Sequence, residues 1–462
     1  MIITKFGGSS LADAEQVRKV FNIIRENDER RVVVVSAPGK RHKADQKVTD
    51  LLINCAMAKL SGADAQGPLD ALLERFRLLA DDLELDGEIY TRIRDDICGR
   101  LEKSGAGGLE MSGAGGLRDE EFLDLMKAAG EDNCAKLVAA YFNKMGMASV
   151  YIDPKDAGFI MSDNFGNASI LPGSYDSLAK SLGCVKEIVI FPGFFGYTRD
   201  GKVITFSRGG SDITGSILAA ALDASLYENY TDVDNVFTVD PGLIKNPKPV
   251  REITYKEMRE LSYGGFKVYH EDALVPVYQK GVPVHIKNTN NPSELGTAII
   301  RHRGQQADGS PVTGIAAASG FICIHISKLL MNTEIGFGRK VLQIIEDENL
   351  PFEHMPSGID DISLILNESY AAPDKVDRIM SRMKTGLSAD EVSIRKGLAI
   401  VMLVGEGMLN TVGTTARASG ALAKAGINIE IINQGSSEVS LMFGIDEKDA
   451  DAAVISLYNE FF

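Results

Sequence analysis

The chain has 462 residues, of which 44% are hydrophobic and 24% are charged, and its formal net charge at pH 7 is -15. This composition is typical of an ordered protein with two or three domains and excludes a disordered chain. The acidic balance argues against nucleic-acid binding, because neutralising phosphates requires a basic face. Anionic ligands would therefore be held by local Arg and Lys side chains.

The five cysteines are scattered and form no CxxC pair, which indicates a reducing cytosol and gives no zinc site. The N-terminus opens directly into an apolar strand without a basic leader, and no apolar run approaches the length of a membrane span. We therefore expect a cytoplasmic protein with no membrane contact and no metal site built from its own side chains.

Short apolar strands alternate with helical segments at the start of the chain. The strand that begins at Arg31 contains four consecutive valines, as do strands buried on both faces of a parallel sheet. This alternation predicts a doubly wound, mainly parallel α/β sheet, whose ligands bind at the carboxyl ends of the strands. The predicted elements are a strand at residues 1–6, a helix at 13–25, the strand from 31 and a helix from 48.

Residues 69–127 have a charged, helical pattern that is interrupted by a repeated Ser-Gly-Ala-Gly-Gly-Leu segment at 104–109 and 112–117. We expect this repeat to form a mobile surface loop, and a phosphate site is not expected because no strong strand precedes either copy. The residues Gly130 to Asn133 would then open a helix that runs from Cys134 to Lys144.

The middle of the chain continues the alternation of strands and turns. Asp200 and Gly201 are predicted to form a hairpin turn that leads into the strand at 203–206. The strand at 282–288 is expected to be the last of its domain, closed by a loop rich in Asn, Pro and Gly. The other predicted strands lie at 148–152, 187–194 and 226–234.

The turn after the strand at 203–206 is the most informative stretch of the sequence. Gly209 and Gly210 let the backbone approach a ligand closely, and Ser211 and Asp212 are predicted to cap the helix that follows. The free amides of a helix start bind anions. Arg208 adds a planar group that suits a carboxylate or phosphate, whereas the Asp212 carboxylate suits a neighbouring cation. The turn therefore predicts a site for an anionic small molecule.

A polar, glycine-containing stretch near residues 300–312 predicts a domain boundary, with one domain at residues 1–300 and a second region at 301–462. The second region alternates short strands with single helices twice over, as in a βαββαβ fold. We expect these two units at about 319–390 and 391–462, with soft boundaries. Small paired units of this type more often bind regulators or partners than carry out chemistry.

Polar and charged groups fall at predicted strand ends and loops in a pattern that suits phosphoryl transfer. The chain has no GxxxxGK[ST] segment and no HRD or DFG set, so the P-loop and protein-kinase mechanisms are unsupported. Phosphoryl transfer requires positioned cations and amides, because charge spreads over the oxygens of the transferring group. The set comprises Lys5, the two glycine turns, Asp212, Thr231, Asp232 and Lys267.

Nine ordered segments carry a resemblance to the aspartate kinases of the amino-acid kinase family. They are Lys5 to Ser10, Val48 to Asp50, Gly130-Glu131, Phe165-Gly166, Pro192 to Phe194, Gly209 to Asp212, Tyr230 to Val233, Val239 to Pro241, and Lys267-Val268. The C-terminal region resembles the tandem ACT domains of the same family, including the segment Asn433 to Glu438. In that family one ACT unit is nested within the other.

The resemblance implies transfer of the ATP γ-phosphoryl group to the side-chain carboxylate of L-aspartate, with Mg²⁺ bridging the nucleotide phosphates. The product, 4-phospho-L-aspartate, begins the biosynthesis of lysine, threonine and methionine. No covalent nucleophile or general base is needed, since a carboxylate is already ionised at neutral pH.

The resemblance also implies roles for individual residues. Arg208 would bind the α-carboxylate of aspartate, Glu131 its ammonium group, and Thr49 and Ser211 would help to seat it. Lys5, oriented by Asp212, would neutralise the transferring phosphoryl group together with Lys267. The nucleotide would be surrounded by Lys5, Gly7, Gly8, Ser9, Thr231, Asp232, Asp240, Pro241, Lys267 and Val268.

Feedback regulation and self-association follow from the same resemblance. Lysine, threonine or both would bind between ACT units near Met331, Phe337, Ser357 and Asp361, and open sheet edges favour a homodimer or homotetramer.

Three alternatives stay open. Another amino-acid kinase could act on glutamate, N-acetylglutamate or carbamate. An amino-acid sensor could carry a silent kinase domain, since Ala128 stands where the family normally has a serine. Nucleic-acid binding is the least favoured.

Overall fold

The computed structural model describes residues 1–103, 117–207, 209–266, 268–303 and 310–462. These residues form two compact units. The first contains the described residues of Met1–Val236, Pro249–Tyr255 and Lys267–Arg303, and the second those of Phe237–Lys248, Lys256–Phe266 and Gly304–Phe462. The predicted boundary at residue 300 stays a prediction. Among the described residues, no helix is both long and apolar enough to cross a membrane.

The first 236 residues contain strands separated by helices, with four consecutive helices between the second and third strands. They are β1 (Ile2–Phe6), α1 (Ala14–Arg25), β2 (Arg30–Val35), α2 (Val48–Leu60), α3 (Gln66–Asp82), α4 (Gly87–Leu101), α5 (Asp119–Lys144), β3 (Ser149–Tyr151), α6 (Pro154–Ala157), α7 (Gly173–Leu182), β4 (Ile188–Pro192), β5 (Phe195–Tyr197), β6 (Val203–Thr205), α8 (Gly210–Ala221) and β7 (Leu226–Thr231). The hairpin of β5 and β6 turns at Gly201, as predicted.

The chain up to residue 303 adds shorter elements. They are β8 (Val236–Phe237), β9 (Pro249–Val250), β10 (Glu252–Thr254), α9 (Tyr255–Tyr263), α10 (Leu274–Lys280), β11 (Val284–Asn288) and β12 (Thr297–Ile300). The prediction that the strand at 282–288 is the last of its domain is wrong, because β12 pairs antiparallel with β11 and parallel with β10.

The first unit is built on an eight-stranded sheet with the order β10-β12-β11-β7-β1-β2-β4-β3. From β11 across to β3 every neighbouring pair is parallel. The chain leaves β1 toward β2 on one side and later returns to β7 on the other, so the direction of winding reverses beside β1. Ligands of doubly wound sheets bind at the carboxyl ends of the strands next to such a reversal.

Helix α5 differs from the prediction of a helix that opens at Gly130 to Asn133. It runs without interruption from Asp119 to Lys144, so these residues lie in its middle. Glycine normally weakens a helix interior. Here a Cβ on Gly130 would lie 2.8 Å from the Cβ of Ala37 and 3.2 Å from Leu52 Cδ1. The glycine therefore marks a close contact between α5 and its neighbours and does not mark a helix end.

The second unit contains a five-stranded antiparallel sheet with the order β14-β13-β15-β17-β16. Its elements in this part of the chain are β13 (Gly314–Ser327), α11 (Phe337–Asp347), β14 (Asp361–Asn367), α12 (Pro373–Gly386), β15 (Glu391–Val404), α13 (Thr414–Lys424), β16 (Ile431–Gln434), β17 (Ser440–Asp446) and α14 (Ala450–Phe461). The strands β13 and β15 have 14 residues each, which is longer than the short strands predicted.

The two long strands pass through two hydrophobic cores. One core joins residues 322–326 of β13 to α11, β14 and α12. The other joins Ile315, from the start of β13, to the second half of β15 and to α13, β17 and α14. The first residues of β13 therefore pack with elements near the end of the chain. The elements that lie between these two parts in the sequence, from residue 322 of β13 through α12, form the other core.

The repeated Ser-Gly-Ala-Gly-Gly-Leu segment is the predicted mobile surface loop. All of it except Leu117 falls within residues 104–116, which lie outside the described residues.

Candidate active site

Four neighbouring parallel strands, β7, β1, β2 and β4, bring their carboxyl ends to one edge of the sheet. Phe6 of β1 lies opposite Val35 of β2 and Tyr230 of β7, while Val35 lies opposite Pro192 of β4. The Gly7 amide donates to the Tyr230 carbonyl oxygen at 3.1 Å. The loops that follow β1, β2, β4 and β7 therefore gather beside the reversal at β1. The predicted site residues on β1, β7 or the segments that follow them are Lys5, Gly7, Gly8, Ser9, Thr231 and Asp232.

Lys5 and Asp212 form a buried ion pair at this edge. The Nζ atom of Lys5 lies 2.6 Å from Oδ1 of Asp212, and their side chains are 9% and 15% exposed. Asn229, which lies opposite Lys5 on β7, accepts from Lys5 Nζ at 3.5 Å and donates to Asp212 Oδ1 at 2.7 Å. Asn229 is absent from the predicted site, and its signal in the sequence is an amide side chain within a strand. Asp212 and Asn229 thus hold the Lys5 ammonium in one place, as the binding of a phosphate requires.

The first glycine turn packs backbone against backbone. A Cβ on Gly8 would lie 2.9 Å from the Ala37 carbonyl oxygen, and one on Gly39 would lie 2.6 Å from the Gly8 carbonyl carbon. The Gly39 amide donates to the Gly8 oxygen at 2.8 Å. A Cβ on Gly7 would lie 3.4 Å from Lys5 Nζ. Gly39 is a further residue that the predicted site omitted, although the glycine in the loop after β2 was visible in the sequence.

The second glycine turn corrects the predicted cap of α8. Gly209 occupies the cap position with φ of 59°, the helix begins at Gly210, and no side chain caps it. Ser211 and Asp212 lie in the first turn, where the Asp212 carboxylate is engaged by Lys5. A Cβ on Gly209 would lie 2.5 Å from the Cβ of His270, so both the positive φ and the close contact require glycine here. Arg208 lies outside the described residues.

Glu131 is a buried carboxylate in the middle of α5. It is 5% exposed, and its Oε2 atom has no hydrogen-bond partner among the described residues. Burial raises the pKa of Glu131 to about 8, although a backbone hydrogen bond from Ala37 works in the opposite direction. Ala128 is fully buried on the same helix. A buried carboxylate with a free oxygen atom is suited to receive a cationic group of a ligand.

Thr49 and Ser211 lie in the first turns of two helices that begin at this edge. Thr49 is the second residue of α2 and is half-buried, and the preceding Val48 donates its amide to the Pro38 oxygen at 3.1 Å. Ser211 is 7% exposed, and a Cβ on Gly193 would lie 2.7 Å from its Cβ.

The residues predicted to surround the nucleotide fall into two groups. Thr231 ends β7 and donates its hydroxyl to the exposed Asp232 at 3.2 Å, and Val268 and Ser9 are half-buried in the same unit. Asp240 and Pro241 belong to the second unit, where both are exposed and Asp240 accepts from the Gly242 amide at 2.7 Å. Lys267 lies outside the described residues.

The predicted effector residues lie at two loops of the second unit: Met331 and Ser357 lie within the loops, and Phe337 and Asp361 are the first residues of α11 and β14 that follow them. The side chains of Met331 and Phe337 are buried in the core with α11 and α12, whereas Ser357 is exposed and Asp361 is half-buried. Backbone hydrogen bonds join the two loops, since the amide of residue 328 donates to the oxygen of residue 360 at 2.8 Å.

No group of three or more His, Cys, Asp or Glu side chains that could hold a metal ion occurs in the part of the chain that the structure describes.

Comparison with known proteins identifies the family. Residues 1–288 match the amino acid kinase family and residues 401–461 match an ACT domain. Aspartokinase 3 of Bacillus subtilis (strain 168) is 51% identical over 462 residues, which cover 100% of this chain and 99% of that protein.

Two crystal structures match over 100% of both chains. Clostridium acetobutylicum aspartate kinase has a TM-score of 0.83 and 36% identity. E. coli aspartokinase III in complex with aspartate and ADP has a TM-score of 0.80 and 25% identity. With the buried Lys5–Asp212 pair and the glycine turns at the reversal of a parallel sheet, these matches lead to one conclusion: the chain belongs to the aspartate kinases of the amino acid kinase family.

Proposed function

We propose that the ATP-dependent phosphorylation of L-aspartate takes place at the carboxyl ends of β1 and β7. The observation that carries this proposal is the Lys5 ammonium, which Asp212 and Asn229 hold beside Gly7 in the first glycine turn. A fixed cation next to backbone amides stabilises the charge that spreads over a transferring phosphoryl group. The product is the acyl phosphate 4-phospho-L-aspartate, with which lysine, threonine and methionine biosynthesis begins.

The substrate would be bound at both ends of its α-amino-acid part. Glu131 receives the ammonium, and its buried Oε2 atom, which has no hydrogen-bond partner in the part of the chain that the structure describes, supports this role. Arg208 binds the α-carboxylate, and Thr49 and Ser211 seat the substrate between two helix starts. The side-chain carboxylate of aspartate is itself the nucleophile, so the site needs no general base.

The nucleotide would be bound by Lys5, Gly7, Gly8, Ser9, Thr231, Asp232, Asp240, Pro241, Lys267 and Val268. The crystal structure of the E. coli relative contains ADP, which supports nucleotide binding by the present chain. Mg²⁺ would arrive bound to the ATP phosphates, as is usual where substrate oxygens and waters supply most of its ligands.

Regulation would act through the second unit. Lysine, threonine or both bind near Met331, Phe337, Ser357 and Asp361, whose two loops also expose Leu330, Ile335 and Ile359. The Clostridium acetobutylicum relative is described as an important allosteric enzyme. Titration calorimetry with each amino acid tests this role, and the absence of heat with both would contradict it.

The chain would act in the cytoplasm as a homodimer or homotetramer. The edge strand β16 carries the half-exposed Ile432, and open strand edges pair readily with a second copy. Light scattering of the purified protein measures the mass directly, and a monomer at micromolar concentration would contradict self-association.

Trapping of the acyl phosphate tests the reaction. Purified protein is incubated with ATP, Mg²⁺, hydroxylamine and either L-aspartate or L-glutamate, and the hydroxamate is measured. We expect a signal that depends on aspartate. A signal only with glutamate would show that the substrate is glutamate and not aspartate. Binding of ATP without turnover would favour an amino-acid sensor.

A further inference from the structure

Asp124 is a buried carboxylate of α5 with four hydrogen-bond donors around it. It is 1% exposed. Its Oδ2 atom accepts from the backbone amides of Gly166 at 2.8 Å and Thr205 at 2.9 Å. Its Oδ1 atom accepts from the Thr205 hydroxyl at 2.9 Å and from Lys127 Nζ at 3.2 Å. Three of the four bonds therefore run to the loop at residue 166 and to the end of β6.

Thr205 is the last residue of β6, and the segment that leads to Gly209 and α8 begins after it. The next residue, Phe206, donates its amide to the Phe194 oxygen at 3.0 Å. Both the amide and the hydroxyl of Thr205 are bound by one carboxylate, so the point at which the chain enters this segment is fixed against α5.

The same helix carries Glu131. Asp124 and Glu131 are seven residues apart, which is close to two full turns, and both side chains are buried. Helix α5 therefore carries the carboxylate proposed to receive the substrate ammonium and, two turns away, the carboxylate that fixes the end of β6.

We propose that Asp124 is a positioning residue for aspartate binding, which sets the spacing between Glu131 and the β6–α8 turn. This inference rests on the proposed function, in which Glu131 and Arg208 bind the two ends of the α-amino-acid part. Hydrogen bonds from backbone amides to an ionised group are short and directional, so they fix a position more narrowly than apolar packing does. A substrate that is bound at both ends is sensitive to displacements of a fraction of an ångström.

The substitution Asp124→Asn tests this role, because it keeps the size of the side chain and replaces one acceptor by a donor. We expect the KM for aspartate to rise about tenfold while the KM for ATP changes by less than about twofold, since a lost charge-assisted bond is worth roughly one power of ten. The milder Thr205→Val keeps the backbone amide and loses the hydroxyl. We expect it to raise the KM for aspartate about threefold, and it replaces Asp124→Asn if that variant does not fold.

The matched control is Glu121→Gln on the same helix. Glu121 is also a buried acid, 5% exposed, but it pairs with the side chains of Arg118 and Lys202 and not with the backbone of β6. We expect this control to leave the KM for aspartate unchanged, whatever its effect on thermal stability.

Two results would overturn the inference. One is an unchanged KM for aspartate in both test variants, and the other is an equal rise for aspartate and ATP, which indicates a general structural role. Glu131→Gln, measured in parallel, separates this failure from that of the proposed function. If Glu131→Gln leaves the KM for aspartate unchanged, the proposed binding of the ammonium is wrong, irrespective of Asp124.

Discussion

The raised pKa of Glu131 predicts that aspartate use increases with pH. Burial keeps this carboxyl neutral below a pKa of about 8, whereas the proposed pairing with the substrate ammonium requires the ionised form. Binding below pH 8 therefore releases a proton, and kcat/KM for aspartate rises as pH rises through the pKa. The ionised fraction grows from roughly 3% at pH 6.5 to roughly 75% at pH 8.5, so we expect kcat/KM to increase about twentyfold over this range.

The assay is initial-rate release of ADP across this pH range at saturating ATP and Mg²⁺. Glu131→Gln replaces the ionisable carboxyl group by a neutral amide. We expect kcat/KM of this variant to be nearly independent of pH and, at pH 8.5, at least about tenfold lower than that of the wild-type protein. The reason is that a buried side chain, 5% exposed, then faces the substrate ammonium without a negative charge. A flat profile in the wild-type protein would refute the reasoning. So would the same rise in Glu131→Gln, since another group would then be titrating.

Three further substitutions probe other parts of the site. Lys5→Ala is expected to lower kcat about a hundredfold or more with an unchanged circular dichroism spectrum, because one preorganised charge is lost, and near-normal turnover would reject its role. Arg208→Ala is expected to raise the KM for aspartate by tens to thousands of fold, the equivalent of about 2 to 5 kcal/mol, and an unaltered KM would count against it. Gly39→Ala is expected to raise the KM for ATP and to destabilise the protein by about 1 to 3 kcal/mol, because its Cβ would lie 2.6 Å from the Gly8 backbone. The control Gly67→Ala has open space around its Cβ, and an equal effect of the two on ATP would contradict the packing argument.

The parallel sheet was predictable because its strands are short, apolar and separated by helices, as the four valines of β2 illustrate. The uninterrupted course of α5 through Gly130 was not predictable, because glycine usually ends or weakens a helix. Only the packed structure reveals that Ala37 and Leu52 occupy the space where a side chain at residue 130 would lie.

The predicted site residues Lys5 and Asp212 are 207 positions apart in the sequence, yet their side chains meet in the structure. The family resemblance predicted this pair. It did not predict Asn229 or the bonds of Asp124, because these depend on strand register and on side-chain direction, which local sequence does not specify. The same limit explains why Gly209, and not Ser211 or Asp212, occupies the cap position of α8. Local preference favours Ser211 or Asp212 as the cap, whereas in the structure Asp212 lies in the first turn of the helix and pairs with Lys5.

A crystal structure of the protein with L-aspartate and ADP would show where the reaction takes place. We expect the substrate ammonium within about 3 Å of Glu131 Oε2 and a phosphate oxygen within about 3 Å of Lys5 Nζ, the normal lengths of charge-assisted hydrogen bonds. Aspartate bound away from Glu131, or a nucleotide whose phosphates avoid Lys5 and the Gly7-Gly8 turn, would contradict this expectation.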